Sequence, residues 1–576
     1  MFCTPDTSKQ NPFASFSLRK SRTILCVLAL LSLATTVASA QATFTSLHAF
    51  NSIDGVEPYY EYLVQGTDGQ LYGTTYLGDG TGTVFKIATS GALSVLYTFC
   101  ATAGCPDGDF PIGGLVMAPN GNFYGTTSQY GLDTVGACLP GIYGCGTIFE
   151  ITPSGTFTVL HTFTGPDGFS PYANMTLGTD GNLYGTTLFG GNQSACPGGC
   201  GTVFKLTPAG KFTSLYSFQG SDGENPIGKL FQASNGNFYG TTIVGGASGT
   251  GTVFEISSAG KLTTVYNFGA GTSPGGPYAG IIQGSDGNFY GTTAGGGTTS
   301  FGTVYKLVGK KLTTLYNFCS QPGCADGNYS YAGLIQATDG NFYGTTGSGV
   351  NPGGTVFEIT PSGVFTTLYT FCSQANCADG SDPYGGLLQA TDGNFYGTTL
   401  QGGEQNQYGT VFKLSTGLGP FVQSVTTSGK VGAAVTILGT NLTGSTAVNF
   451  GAASASFTVN STGSAITTTV PSGATTASIT VTTPSGTLKS NATFKVIPKI
   501  NSFSPSSGPV GTVVTITGVS LTQTTKVTFG GVKATSFTVN SDRQVTATVP
   551  SGAKTGKIVI TTPGGTAKSP TTFTVT

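Results

Sequence analysis

One eight-residue string, returning seven times, limits the fold of this chain more than any other feature. The string [DN]-G-x-[FL]-Y-G-T-T begins at Asp68, Asn120, Asp180, Asn235, Asp286, Asp339 and Asp392. A second, G-T-[VI]-[FY]-[KE]-[IL], begins at Gly82, Gly146, Gly201, Gly251, Gly302, Gly354 and Gly409. A third, like FTTLYTF, ends at Phe50, Phe99, Phe163, Phe218, Phe268, Phe318 and Phe371. A period of 51 to 60 residues makes each unit one supersecondary element in a repeat architecture. Alternation and turn chemistry divide a unit into four short strands. In the last unit, residues 384–390 read as strand a, Asp392-Gly393 as a tight hairpin turn, 394–399 as strand b and 409–414 as strand c. Strand d is the FTTLYTF element, as at 365–371. Four strands per unit at this period describe a β-propeller blade, and seven units predict seven blades.

The ends of the repeat region predict how the ring closes. It opens on an orphan strand d, residues 43–50, and its last unit stops after strand c at Leu414. Pairing the two removes the exposed edges that an open array would carry. With antiparallel strands, the d-to-a and b-to-c connections emerge on one face, which holds the cysteine pairs and the longest insertion, 128–145. Binding usually resides in such loops.

From Pro420 the texture shifts to dense alternation of Thr, Ser and Val, in two related segments offset by 79 to 80 residues. Shared landmarks are at Gly439 and Gly518, Thr458 and Thr538, and Val470 and Val549. Short alternating strands punctuated by Gly and Pro predict two immunoglobulin-like β-sandwiches. The fold expected is therefore all-β: residues 41–417 as a seven-bladed β-propeller closed by the N-terminal strand, then sandwiches over 418–497 and 498–576. The second segment, with FSPSSGPVGTVVTITG and VTATVPSGA, resembles an IPT/TIG domain, and the first a more divergent one. DGNFYGTT followed by GTVFKL resembles the GloVer tandem repeats of secreted bacterial proteins. The first resemblance implies spacer or adhesive modules, occasionally appended to carbohydrate-active enzymes. The second implies an exported or surface protein without assigned activity, often with a C-terminal anchor. The terminal TTFTVT, without an apolar tail or basic stop, departs from that pattern.

Residues 1–40 read as a secretory signal peptide: Arg19, Lys20 and Arg22, a short apolar stretch, then Ala38-Ser39-Ala40, with cleavage before Gln41. No later stretch approaches the length of a membrane span, so a secreted, extracellular or cell-surface protein of bacterial-type export is expected. Ten cysteines then remain, in five close pairs: Cys100 with Cys105, Cys138 with Cys145, Cys196 with Cys200, Cys319 with Cys324, and Cys372 with Cys377. In an exported chain these read as disulfides. The rival reading, metal binding, is weakened because neither histidine lies beside a pair.

Charge then narrows function. Only 8% of residues are charged, the net charge is -1, and histidine occurs twice. Nothing here supplies the counterion release on which nucleic-acid binding rests, so that class is excluded. His48 and His161 occupy the strand d position that Tyr97, Tyr216, Tyr266, Tyr316 and Tyr369 fill elsewhere, which reads as packing and leaves nucleophile triads without a base. A glycosidase needs two carboxylates, and strand a is interrupted by charge only at Glu61 and Lys229.

Three constellations remain. Tyr59, Tyr172, Tyr278, Tyr331 and Tyr384, at the start of strand a, are expected to converge at the channel mouth, there to stack on sugars or grip a peptide, or to pack blade on blade. Gln65, Gln232, Gln283, Gln336 and Gln389, later on strand a, form a ring of amides able to hydrogen-bond a ligand, with Met117 and Leu177 in the other two blades. Asp54, Asp107, Asp167, Asp222, Asp326 and Asp379 each precede a glycine in the d-to-a loop, blade five having Ser273. They read either as Asx-turn formers or as oxygen ligands for Ca²⁺; no other cofactor is expected. The fifth position of strand c alternates Lys86, Glu150, Lys205, Glu255, Lys306, Glu358, Lys413, which predicts charge pairing between neighbouring blades. The favoured function is extracellular binding or adhesion, with the propeller as platform, the sandwiches as spacer, and a neutral polysaccharide or a surface protein as partner. The alternatives are a glycoside hydrolase or lyase using loop carboxylates, and a structural surface-layer component.

Overall fold

Threonine explains the G-T-T and G-T-V strings. In all seven blades the second threonine of strand b meets the threonine that opens strand c at 2.8–2.9 Å. Both side chains are buried, so each satisfies the other where water is absent. The first threonine works outward: Thr241 and Thr345 donate to the carbonyls of Ala279 and Gly385 in the next blade at 2.7 and 3.1 Å.

The computed structural model describes residues 42–576 except 61, 79, 132–137, 139–143, 270–274, 350–352 and 404–406. The expected signal peptide, Glu61, Ser273 and most of the 128–145 insertion lie outside the described residues. Seven four-stranded sheets form the propeller. Strand β1, Thr43–Ala49, pairs antiparallel with Thr410–Ser415 of blade seven, from Thr43 opposite Ser415 to Ala49 opposite Thr410. It carries the same register shift near its histidine that every other c–d pair shows, as between Val203 and Phe204. The ring thus closes as the repeat ends predict.

Strand a is shorter than its sequence suggests. The run expected over 384–390 pairs with strand b only at Leu388–Gln389, and every blade has the same two-residue strand. The preceding backbone spends carbonyls on threonines of the adjacent blade instead. The alternating charges of strand c also behave differently from expectation. Each faces a strand b tyrosine of its own blade, as Lys306 does Tyr290 and Glu150 does Tyr124. Among the described residues no ion pair joins these strand c charges across neighbouring blades; Lys306 pairs within blade five, with Asp286 at 2.9 Å. The partner of the alternation is the hairpin residue. Lys accompanies Asp68, Asp180, Asp286 and Asp392, whereas Glu150 and Glu255 accept from Asn120 and Asn235. Blade six breaks the rule with Asp339 beside Glu358, where burial, and then the Asp339 charge, push the Glu358 carboxyl up.

The two C-terminal segments share one topology. In each, a four-stranded sheet faces a five-stranded one, and equivalent strands lie in the same order. The apolar cores are closed around Ile437, Phe450 and Phe494 in the first sandwich and Ile516, Phe529 and Phe573 in the second. The spacer role expected for this pair does not describe its first member, which is seated on the ring. Leu438 and Ala465 pack with Leu115 and Met117 of the propeller. Thr67 of a blade-one hairpin accepts through its carbonyl from Asn460 and Ser464 at 2.7 Å each, and Thr440 lies 2.9 Å from Thr391 of blade seven. Gln523 ties the second sandwich to the first through the backbone of Thr476. Among the described residues no helix is long and apolar enough to cross a membrane.

Candidate functional site

Isolated bridges tie the d-to-a loop to the b-to-c loop in each blade, as Val56 to Leu77 and Ser381 to Gln401. These loops therefore share one face, and they hold the ten described cysteines as five disulfides. Cys100 is bonded to Cys105, Cys319 to Cys324, and Cys372 to Cys377, each closing a d-to-a loop. Cys138 is bonded to Cys145, and Cys196 to Cys200, each within a b-to-c loop. Among the described residues every cysteine sulfur is thus committed to its near neighbour, and the rival reading of these cysteine pairs as metal ligands falls.

On that face the tyrosines converge. Tyr172, Tyr278, Tyr331 and Tyr384 line one pocket with Tyr60 and Tyr62. Tyr278 meets Tyr331 edge-on at 5.3 Å, Tyr331 meets Tyr384 at 4.7 Å, and Tyr59 meets Tyr384 at 5.9 Å. Tyr60, an extra residue at the start of blade one, joins by an edge contact of 4.5 Å with Tyr59. Partial burial pushes the phenols of Tyr59, Tyr331 and Tyr384 up, Tyr384 to about 12, so these stay neutral hydroxyls. Among the described residues, none of the hydroxyls of Tyr172, Tyr278, Tyr331 and Tyr384 has a hydrogen-bonding partner, whereas the strand b tyrosines of five blades donate to hairpin carboxylates, as Tyr396 does to Asp392 at 2.8 Å. Beside Tyr384, burial lifts the Asp382 carboxyl to about 6.

The glutamines stand at the opposite end of strand a, each between two blades. Gln283 accepts from the Ser234 N–H of blade four at 2.9 Å and donates to the Gly287 carbonyl of its own hairpin at 2.8 Å. Gln232 and Gln336 repeat the pattern, and Gln65 and Gln389 follow it with threonine partners. The amides expected to face a ligand are thus engaged as clamps between blades. The two exceptions are instructive: Met117 and Leu177 line a cavity with Val425 and Leu438 of the first sandwich. Where the sandwich covers the channel end, amide gives way to apolar side chain.

The loop aspartates are placed one per blade, blade five excepted. Asp326 accepts from the Tyr316 hydroxyl at 2.7 Å and from the Ser320 N–H at 2.8 Å, and Asp379 does the same with Tyr369 and Ser373. Asp107 holds Tyr97 and Cys100, and Asp222 holds Tyr216 and Gln219. His48 and His161 replace tyrosine as partners of Asp54 and Asp167, at 3.0 and 2.9 Å. His161 also stacks on Phe212 at 3.8 Å, as Tyr97 stacks on Phe157. Burial pushes Asp167 up, but hydrogen bonds from His161 and Thr164 outweigh it and leave the group below its ordinary value. No three His, Cys, Asp or Glu side chains gather as a metal group among the described residues.

Sequence reasoning missed Tyr62, Asn174 and the role of Lys229, which reach into the channel under the mouth. Their signal was available: all three occupy the strand a position that is glycine in the other four blades, at Gly114, Gly280, Gly333 and Gly386. Below them lies an apolar cavity of about 220 Å³ lined by Leu63, Leu230, Ile281, Leu334 and Leu387.

A closed seven-bladed ring with a tyrosine-lined mouth on its loop face and paired β-sandwiches on the other defines a repeat-propeller protein. The chain belongs to the Gloeobacter/Verrucomicrobia repeat family, which matches residues 34–195, 138–325 and 267–463, and an IPT/TIG domain matches 498–575. No curated protein matches the chain. Among solved structures, a fungal alcohol oxidase of the AA5 family in complex with copper is 13% identical, with 79% of this chain and 98% of that one covered at a TM-score of 0.42. The extracellular domain of a proposed hybrid two-component system from B. thetaiotaomicron is 12% identical, covering 91% and 65%, also at 0.42. The protein SGBP-B of a xyloglucan utilization locus in Bacteroides uniformis is 23% identical, covering 27% of this chain and 48% of that one, at 0.15. The matched region spans less than half of that last protein's length.

Proposed function

We propose that this chain is an extracellular or cell-surface saccharide-binding protein, with the tyrosine-lined mouth as the binding site. The observation that carries the reading is the mouth itself: tyrosines from five blades meet at one end of the channel, and Tyr172, Tyr278, Tyr331 and Tyr384 keep their hydroxyls unengaged among the described residues. Rigid aromatic rings with a polar tip are suited to a ligand that presents an apolar face edged by hydroxyls, as a pyranose does. Five disulfides in the surrounding loops fit an oxidising, extracellular setting. The first sandwich braces the ring from the far end, which leaves the mouth free to face a ligand.

The test is retention on a glycan array by the full chain and by a triple variant with Tyr278→Ala, Tyr331→Ala and Tyr384→Ala. The expected result is loss of retention with the thermal transition preserved. Retention equal to that of the natural chain overturns the proposal.

A further inference from the structure

One position of strand a sets the floor of the mouth. Through blades one to seven it is Tyr62, Gly114, Asn174, Lys229, Gly280, Gly333 and Gly386. Three blades supply side chains and four glycines make room for them. A Cβ on Gly386 would lie 1.8 Å from the Tyr62 ring, and one on Gly114 2.6 Å from Asn174 Nδ2. The Gly333 N–H donates to the Tyr62 hydroxyl at 2.7 Å, which anchors that ring across the channel.

What this floor holds is donors. Asn174 is 3% exposed and its Nδ2 meets no acceptor among the described residues. Lys229 Nζ stands 5.7 Å from the centre of the Tyr62 ring, within cation–π range. No carboxylate pairs with it among the described residues, and burial pushes its amine down. Both side chains line the same pocket as Tyr172, Tyr278 and Tyr331. A buried amide N–H without an acceptor and a half-buried ammonium without a counter-charge each cost free energy. A ligand that brings oxygen atoms, one of them charged, relieves both costs at once.

Resting on the saccharide-binding reading, we propose that the mouth selects acidic saccharides, a uronic-acid carboxylate accepting from Lys229 Nζ and Asn174 Nδ2 while the tyrosines hold the ring. This departs from the neutral ligand that overall composition suggests. One cation matches one carboxylate, and a planar two-oxygen group is suited to two donors. Orientation follows from the ring: Asn174 and Lys229 belong to adjacent blades three and four, whereas the described rim carboxylates Glu57 and Asp382 belong to blades one and seven across the mouth.

The experiment titrates the full chain with a panel of oligouronides and with the same oligomers methyl-esterified. The acid should bind at least tenfold more tightly than the ester. Lys229→Met should remove that preference, Lys229→Arg should keep most of it, and Asn174→Ala should reduce acid binding severalfold, all with the ring's thermal transition retained. Equal binding of acid and ester, or a preference that survives Lys229→Met, overturns the inference while tyrosine-dependent saccharide binding stands. Failure of every acid and every ester to bind overturns the inference, while retention on the glycan array decides the saccharide reading separately.

Discussion

The two ends of the central channel are built from the same seven strands and are opposites. At the loop face, strand a begins with tyrosines, four of whose hydroxyls have no hydrogen-bonding partner among the described residues. At the turn face, it ends with glutamines whose amides are engaged between blades, and with Met117 and Leu177 under the first sandwich. The lesson is that a repeated polar column is not by itself a binding surface. What separates a clamp from a site is whether neighbouring backbone already completes its hydrogen bonds. The glutamines meet N–H and carbonyl groups of adjoining hairpins, while Tyr278, Tyr331 and Tyr384 meet neighbouring tyrosine rings.

The strongest way to break this contrast is to charge the covered end. Leu438 is 4% exposed against Leu115 and Met117. Leu438→Asp should cost about 3 kcal/mol or more of docking by burying an unpaired charge. Limited proteolysis should then cut near 418–421 in the variant and spare the natural chain. Met117→Gln is the finer test, because it restores the residue of the other blades; a stability gain would refute docking as the reason for the exception. Next, Gln336→Ala removes bonds to Ser285 and Gly340. It should lower stability by about 1–2 kcal/mol and leave saccharide retention intact, the inverse of the tyrosine variants; chemical denaturation and the array together decide.

Asp382 probes the mouth by pH. Its folded pKa, about 6, is raised above the ordinary carboxylate value by burial. Stability from its neutral form is therefore complete below the unfolded pKa and lost as pH rises through about 6. Asp382→Asn should stabilise the ring by about 1 kcal/mol at pH 8 and hardly at all at pH 4. That figure is discounted from roughly 3 kcal/mol because the group is partly solvated. A thermal shift independent of pH would remove Asp382 from that role. The smallest effect belongs to the hairpins: Lys306→Glu places a second carboxylate near Asp286 and should cost at most about 1 kcal/mol. Adding Asp286→Asn, which recreates the Asn–Glu pairing of blades two and four, should recover it.

Much of this was legible in the residues. The blades and their closure were, because hairpin turns and strand periodicity are local properties, and the orphan strand at Thr43 matched the missing one after Leu414. The cysteine pairs were equally plain, since Cys105 lies five residues from Cys100 and Cys200 four from Cys196, too near for any other partner to compete. The convergence of the tyrosines followed from the register of the blades. Strand a was misjudged in length because its partners are threonine side chains on another blade, and no local pattern records that. The charge alternation was visible but attributed to the wrong neighbour; comparing it with the Asp/Asn column of the hairpins identifies the right one. The floor of the mouth was hidden for a different reason. Tyr62, Asn174 and Lys229 share no chemistry, and their equivalence appears only when the four glycines are recognised as the room they occupy.

Pairing Thr43 with Ser415 also fixes an order of events. The strand that completes the seventh sheet is among the first parts of the ring to be synthesised, and its partner is among the last. Six blades can gather locally, each around a hairpin, while that first strand waits with its backbone unpaired. The slow step of maturation should therefore be a single long-range encounter rather than the building of any blade, and until it happens both free edges are exposed to other chains.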